Sequence, residues 1–296
     1  MKSSSAISVI GAHTVMMETL THPVQVFGFC GFIGSGKNAA ANELLTLTNG
    51  KELSFAGPLK DAVAKIFGWE RHMIEGATPA SREWRETKDA YWSDVLRRDV
   101  TPRMILQEVG TNVFREYHSS IWLAAAARQH TPPIPSIFTD CRFGNEMHWI
   151  TTQQGMNIWV YRPDSFPFDE TTNANIQARV QRRDGLTNMN IDVPDLHLSE
   201  YAFLSEGAQF IHVVVENTGS LEDLRAVLSS VYQMSQAPDY HGIPWRERTV
   251  YARTEPTVTT EKTVLWQWRN PDGRIAGVLE APRWLVNDEE VYGHGV

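Results

Sequence analysis

Positions 31 to 38 read Gly31-Phe-Ile-Gly-Ser-Gly-Lys37-Asn38. This is the glycine and lysine spacing of a loop that grips phosphate. Glycines tolerate positive φ and put no side chain between backbone and ligand. Backbone N–H groups can then converge on phosphate oxygens, backed by the positive end of a following helix. Lys37 is a mobile point charge able to reach β- and γ-phosphates. The residue after such a lysine is usually a Ser or Thr whose hydroxyl ligates Mg²⁺. Here it is Asn38, whose carboxamide oxygen can take the ion directly or hold an ion-bound water. The flanks support the loop: an apolar run, Val24-Gln-Val-Phe-Gly-Phe-Cys30, precedes it, and a helix-forming run, Ala39–Leu45, follows. Outside such a strand–loop–helix context the same glycines would be only a turn.

Asp140 ends a second apolar run, Ser136-Ile-Phe-Thr139. A carboxylate there can hold Mg²⁺ or cap the helix that begins shortly after. Arg142 lies two residues on and offers a guanidinium for phosphate, while Asn145 and Glu146 either join the site or cap and charge the helix start. Arg103, Gln107, Thr111 and Arg115 recur at spacings of four, which stacks side chains on one helical face. That face can bind a nucleotide, with arginine on phosphate and glutamine on a base edge, or be a solvated face paired with Glu108 or Glu116. Arg179, Arg182 and Arg183 share a face in a polar stretch, suited to closing over transferring phosphates or to being a solvated basic helix. Lys60, in Ser54-Phe-Ala-Gly-Pro-Leu-Lys60, either lines an acceptor pocket or belongs to ordinary helix-start punctuation.

The elements that must carry these residues alternate. Strands are expected at Val24–Cys30, Glu52–Phe55, Ser136–Thr139, Asn157–Tyr161 and Phe210–Val215. Helices are expected at Lys37–Thr48, Pro58–Phe67, Thr101–Thr111, Ser120–Gln129, Asn145–Gln154, Ala174–Arg183 and Ser220–Met234. Such alternation implies an α/β fold with a parallel sheet wrapped on both faces, binding ligands at the carboxyl ends of its strands. Three segments follow: an N-terminal extension over 1–23, a main domain over 24–236, and a β-rich appendage over 237–296. The main domain carries insertions at about 69–100 and 163–197. In the appendage, Val264-Leu-Trp-Gln-Trp268 and Arg274–Leu279 flank Asn270-Pro-Asp-Gly273 and read as a β-hairpin.

The chain has 296 residues, 42% of them hydrophobic, and a formal net charge of −8. An acidic surface argues against a sequence-independent grip on a nucleic acid polymer. No stretch reaches membrane-spanning length. Cys30 and Cys141 lie in apolar runs without a C-x-x-C, as buried thiols in a reducing cytoplasm would.

Taken together, these motifs resemble the deoxynucleoside monophosphate kinases of bacteriophages, with their three-layer α/β/α P-loop NTPase fold and helical acceptor and lid insertions. The resemblance rests on the phosphate loop, Ser54–Lys60, Thr101-Pro-Arg103 with Leu106–Thr111, and Asp140–Glu146. His197-Leu-Ser199-Glu200 and Asn217–Leu224 complete the set, which covers about residues 24–235. It implies transfer of the ATP γ-phosphoryl group to a deoxynucleoside monophosphate, with Mg²⁺. By similarity, Gly31, Gly34, Ser35, Gly36, Lys37, Asn38 and Ala39 would cradle ATP, and the Asn217–Gly219 turn would line its adenine. Lys60, Arg103, Gln107, Thr111, Asp140 and Arg142 would face the acceptor, and Asn38 and Asp140 the metal. Lys37, Arg142 and the lid arginines Arg179 and Arg183 would neutralise charge during transfer. The partners implied are small nucleotides in the cytoplasm, that of a host if the gene is a phage's, with a homodimer suggested by analogy. Two rivals stand beside this reading: a P-loop kinase with a hydroxyl acceptor, such as dephospho-coenzyme A, and a non-catalytic nucleotide switch.

Overall fold

In the computed structural model, residues 23–182, 191, 196–236, 249–253, 263–269 and 275–282 are described. The first strand, β1 (Val26–Cys30), is buried at every position and sits in the middle of the sheet. A strand covered on both faces must be apolar throughout, which is why Val-Phe-Gly-Phe-Cys does not alternate with polar residues. Its neighbours are β3 (Ser136–Phe138) and β4 (Met156–Tyr161), both parallel to it. Beyond them lie β2 (Lys51–Leu53) next to β3, and β5 (Val213–Glu216) next to β4, again parallel.

Helices cover both faces. On one side α1 (Lys37–Thr48) and α11 (Leu221–Ser235) pack over Phe27, Phe29, Ile158, Val160 and Val215. On the other, α8 (Gly144–Thr152) and the short α10 (Ala202–Ser205) cover Val26, Cys30, Phe138, Trp159 and Val214. The alternating residues of β1 thus feed two separate cores, giving the three-layer α/β/α arrangement. The expected α/β fold is present.

The insertion after the second helix, α2 (Gly57–Phe67), folds into three short helices, α3 (Arg71–Glu75), α4 (Pro79–Glu86) and α5 (Ala90–Val95). Their starts are written locally. Thr78 and Ser81 form a reciprocal capping box with Pro79 in the first turn, and Asp89 caps α5 by accepting from Trp92 N. A third apolar cluster of Leu59, Val63, Ile74, Val100, Ile105 and Trp122 joins these helices to α2, α6 (Pro102–Gln107) and α7 (Ile121–Ala127). The other insertion contains a 3₁₀ turn, Pro163–Ser165, and α9 (Glu170–Arg182).

Several expected boundaries differ; the helix expected from Ala174 begins at Glu170. The strand expected from Phe210 begins at Val213, because Ala208–Phe210 closes a 3₁₀ turn. Phe55 lies outside β2, in the turn before α2. The helix expected over Thr101–Thr111 is α-helical only to Gln107, and Glu108–Arg115 is a π-helix. Within it Gly110 O accepts the Trp122 indole N–H at 2.9 Å, a side-chain donor on the helix ladder of the sort that widens a turn.

After Gln236 the described segments extend the same sheet. Strand β6 (Val250–Arg253) runs parallel to β5, and the hairpin strands β7 (Thr263–Arg269) and β8 (Ile275–Pro282) continue it in antiparallel sense, giving the order β2-β3-β1-β4-β5-β6-β8-β7. The turn residues 270–274 and the extension 1–22 lie outside the described residues.

Candidate active site

The loop between β1 and α1 is built on backbone that only glycine adopts without strain. Gly31 has φ +141°, and a Cβ there would meet Val160 O at 2.6 Å. Gly36 has φ +94° at the N-cap of α1, and a Cβ there would meet the Asn217 carboxamide nitrogen at 2.2 Å. Asn217 is buried, and its amide donates to Ser35 O at 2.7 Å. It therefore braces the loop from beneath, while Gly219 lies exposed in the turn before α11. Gly34 also has positive φ, and Ser35 Oγ is buried with no hydrogen-bond partner among the described residues. Positive-φ glycines, a cradle that a Cβ would fill and an orphaned buried hydroxyl fit a phosphate ligand. Asn38 and Ala39 form the first turn of α1, with Asn38 exposed.

Lys37 donates its ammonium to Phe32 O at 2.9 Å, across the same loop. Burial, reinforced by the nearby Arg142 charge, pulls its pKa down to about 8. Phe32 in turn is buried edge-on among Phe166, Phe168 and Phe203, at centroid distances of 5.0–5.1 Å. The phosphate loop and the foot of the second insertion therefore share one aromatic cluster.

Asp140 does not cap a helix. Its carboxylate accepts Ser54 Oγ at 2.6 Å, Phe55 N at 2.8 Å and Ala56 N at 3.0 Å, tying the end of β3 to the turn after β2. Phe143 is the N-cap residue of α8, and Glu146 supplies the capping side chain, accepting Arg142 N at 2.8 Å and Phe143 N at 3.1 Å. The other Glu146 oxygen takes Arg115 at 2.5 Å, and Arg115 also lies 3.8 Å over the Phe143 ring. Burial pushes the Glu146 carboxyl upward; Arg115 and the two amides oppose that push. The expected single face through Arg103, Gln107, Thr111 and Arg115 is thus broken, since the π-helix lets Arg115 turn to Glu146. The alternative pairing with Glu108 is also absent, because Glu108 pairs with Arg98. Asn145 donates to Ser119 O and Ser120 Oγ, a structural role.

Arg103 and Arg142 come together on a residue to which sequence reasoning assigned no role. Arg103 reaches Glu200 Oε1 at 3.2 Å, and Arg142 reaches the same oxygen at 3.1 Å. Burial alone would raise the Glu200 carboxyl, yet Arg142 and Arg103 outweigh it and hold it below the usual carboxylate range. Glu200 ends the Leu198–Glu200 turn, and its only signal in the sequence was membership of the His197–Glu200 motif. Arg103, Glu200, Ser165 and Pro167 line a cleft together with Phe32 and Ile33 of the phosphate loop.

The remaining expected residues divide. Gln107 and Thr111 are half-buried and close no side-chain hydrogen bond among the described residues. Lys60 is taken by Glu75 at 2.5 Å, itself bound to Arg71. Arg179 lies half-buried on α9, whose inward side is Ile176 and Val180; Arg183 lies outside the described residues. Among the described residues no cluster of three or more His, Cys, Asp or Glu side chains is arranged for a metal. Mg²⁺ at phosphoryl-transfer sites is usually held by one or two protein groups plus phosphates. Asn38 at the loop and Asp140 at the neighbouring strand end are the candidate donors. Both cysteines are buried and free, and no described helix is long and apolar enough to cross a membrane.

A six-stranded parallel sheet with a glycine loop and lysine between its central strand and first helix defines a P-loop NTPase-like protein. No family model matches the chain. A protein of Acanthamoeba polyphaga mimivirus described as a "Putative deoxynucleotide monophosphate kinase" is 30% identical over 169 residues, covering 52% of this chain and 82% of the relative. The chain belongs to that nucleotide kinase family, and to the phosphotransferases generally.

Proposed function

We propose that the protein transfers the γ-phosphoryl group of ATP to a deoxynucleoside monophosphate, giving the diphosphate and ADP. One observation carries this reading: a single cleft is lined both by Phe32 and Ile33 of the glycine loop and by Arg103, with Arg142 joined to Arg103 through Glu200. A donor triphosphate on the loop and an acceptor phosphate on the arginines would then face each other. The acceptor is already a phosphate oxyanion, so no strong general base is needed. Catalysis is positioning and charge neutralisation.

In this scheme the loop amides and Lys37 hold the donor phosphates, and Arg103 and Arg142 orient the acceptor. Arg142 also lies close enough to Lys37 to depress its pKa, so it neutralises charge between donor and acceptor. Mg²⁺ bound with ATP would add positive charge on the phosphate oxygens, with Asn38 and Asp140 as its protein-side donors. The second insertion, anchored through Phe166 and Phe168 to Phe32, excludes water, and Arg179 is its candidate lid arginine. A hydroxyl acceptor would call for a base. Asp140 is the carboxylate that the sequence places at the strand end, and its three bonds to residues 54–56 hold it fixed rather than free to take a proton.

A coupled ADP-release assay tests the proposal over dTMP, dGMP, dCMP, dAMP, their ribose forms and dephospho-coenzyme A. Acceptor-dependent ADP release with at least one deoxynucleoside monophosphate is expected. ATP binding without release on any of these would remove the kinase reading, and turnover on dephospho-coenzyme A alone would replace the acceptor.

A further inference from the structure

We propose that Glu200 is a built-in competitor for the acceptor phosphate, a carboxylate that any incoming anion must displace from Arg103 and Arg142. The inference rests on the reading of those two arginines as acceptor ligands and adds what sets their selectivity.

Both guanidinium groups converge on one oxygen, Glu200 Oε1, at 3.2 and 3.1 Å. Two cations are thereby brought together by a single internal negative charge on the cleft wall. The Glu200 side chain is 11% exposed, against 29% for Arg103 and 40% for Arg142, so the carboxylate lies deeper than the groups it binds. Each arginine also has a second partner besides Glu200. Arg103 reaches Glu86 at 3.4 Å, and Arg142 donates to Ser199 O at 3.1 Å. Release of the carboxylate would therefore leave both donors positioned, with Arg103 on the lining of the cleft.

The exchange favours one class of ligand. A phosphate monoester carries nearly two negative charges near neutral pH and three acceptor oxygens, whereas the carboxylate it replaces carries one charge and two oxygens. Arginine forks take such a group bidentately. A phosphodiester, with one charge, gains little over the carboxylate, and a nucleoside gains nothing. Glu200 thus lowers the affinity for every anion and leaves a useful net only for terminal, dianionic phosphates.

The test is calorimetric titration of the full chain, as wild type, E200Q and E200Q combined with Arg103→Ala. The probes are inorganic phosphate, the four common deoxynucleoside monophosphates, and thymidine. E200Q keeps an acceptor oxygen but no charge, and is expected to bind inorganic phosphate and the preferred monophosphate about tenfold tighter, with thymidine unchanged. The gain should vanish when Arg103→Ala is added. Equal or weaker phosphate binding by E200Q, with its cooperative unfolding intact, would overturn the proposal in favour of a purely positioning role. A gain that survives Arg103→Ala would overturn it too, since the extra anion would then sit elsewhere. Should E200Q not unfold cooperatively, Glu200→Ala is read by the same titrations. If inorganic phosphate behaves as expected but no nucleoside monophosphate binds to either protein, the competitor role stands and the kinase reading falls.

Discussion

Asn217 and Ser35 lie 182 positions apart and are joined by one 2.7 Å hydrogen bond from the Asn217 amide to the Ser35 carbonyl. The bond fixes the underside of the phosphate loop to the end of β5. A loop this rich in glycine needs such a brace, because free glycines would otherwise sample many backbone states. Asn217→Ala is expected to weaken ATP binding about tenfold and to lower stability by about 1–2 kcal/mol, since the buried Ser35 carbonyl loses its partner. ATP titration and urea unfolding would check both; an unchanged ATP affinity would mean the loop holds its shape unaided.

Gly36 faces the same amide from above. An alanine there needs a left-handed backbone and a Cβ placed 2.2 Å from the Asn217 nitrogen. Gly36→Ala should abolish measurable ATP binding while leaving the far-ultraviolet circular dichroism of the sheet in place, with a strain cost of about 1–3 kcal/mol. Retained ATP affinity in a folded variant would show that the turn can relax.

Lys37 has two pH signatures of opposite sign. Its pKa in the folded chain is about 8, against a reference value of 10.5. Between these values the unfolded chain binds more protons, so this group makes stability rise as pH increases from about 8 to 10.5. Over the same window the Lys37 ammonium is lost, so, on the proposed role of Lys37, ATP affinity should fall as pH passes 8. Lys37→Met should remove both dependences and cut turnover by about two to three orders of magnitude. Parallel denaturation and ATP titrations across this range would expose a wrong assignment as curves that do not differ from the variant's.

Arg115 and Glu146 hold the backbone from which Arg142 projects. Their side chains are 13% and 2% exposed. Arg115→Met leaves a buried carboxylate without its cation and should cost about 3–5 kcal/mol. Arg115→Met combined with Glu146→Gln should recover a large part of that loss, because no charge is then stranded. Urea unfolding of the single and double variants would decide the matter; an additive double variant would mean the two side chains act independently.

Much of the frame was legible in the chain. The run Val24–Cys30 is apolar at nearly every position, as a strand covered on both faces must be, and Lys37–Thr48 reads as the helix found. The π-helix over Glu108–Arg115 was not legible. Four-residue spacing assumes a regular helix, whereas the Trp122 indole bond to Gly110 and the buried pull of Glu146 act from outside the segment. The antiparallel pairing of β7 with β8 is what the two apolar runs around Asn270–Gly273 led us to expect. Its attachment to the main sheet depended on β6 pairing with β5, which no local pattern records.

The site divides in the same way. Local backbone chemistry wrote the phosphate loop, because positive φ, a close approach and a helix start are all demands on adjacent residues. The convergence of Arg103 and Arg142 on Glu200 is a property of three segments brought together by the sheet and its insertions. Neighbouring residues along the chain determined the glycine loop and the lysine that follows it. Only the tertiary structure decided which internal charge meets Arg103 and Arg142, because Coulomb attraction depends on distance in space and not on distance along the chain.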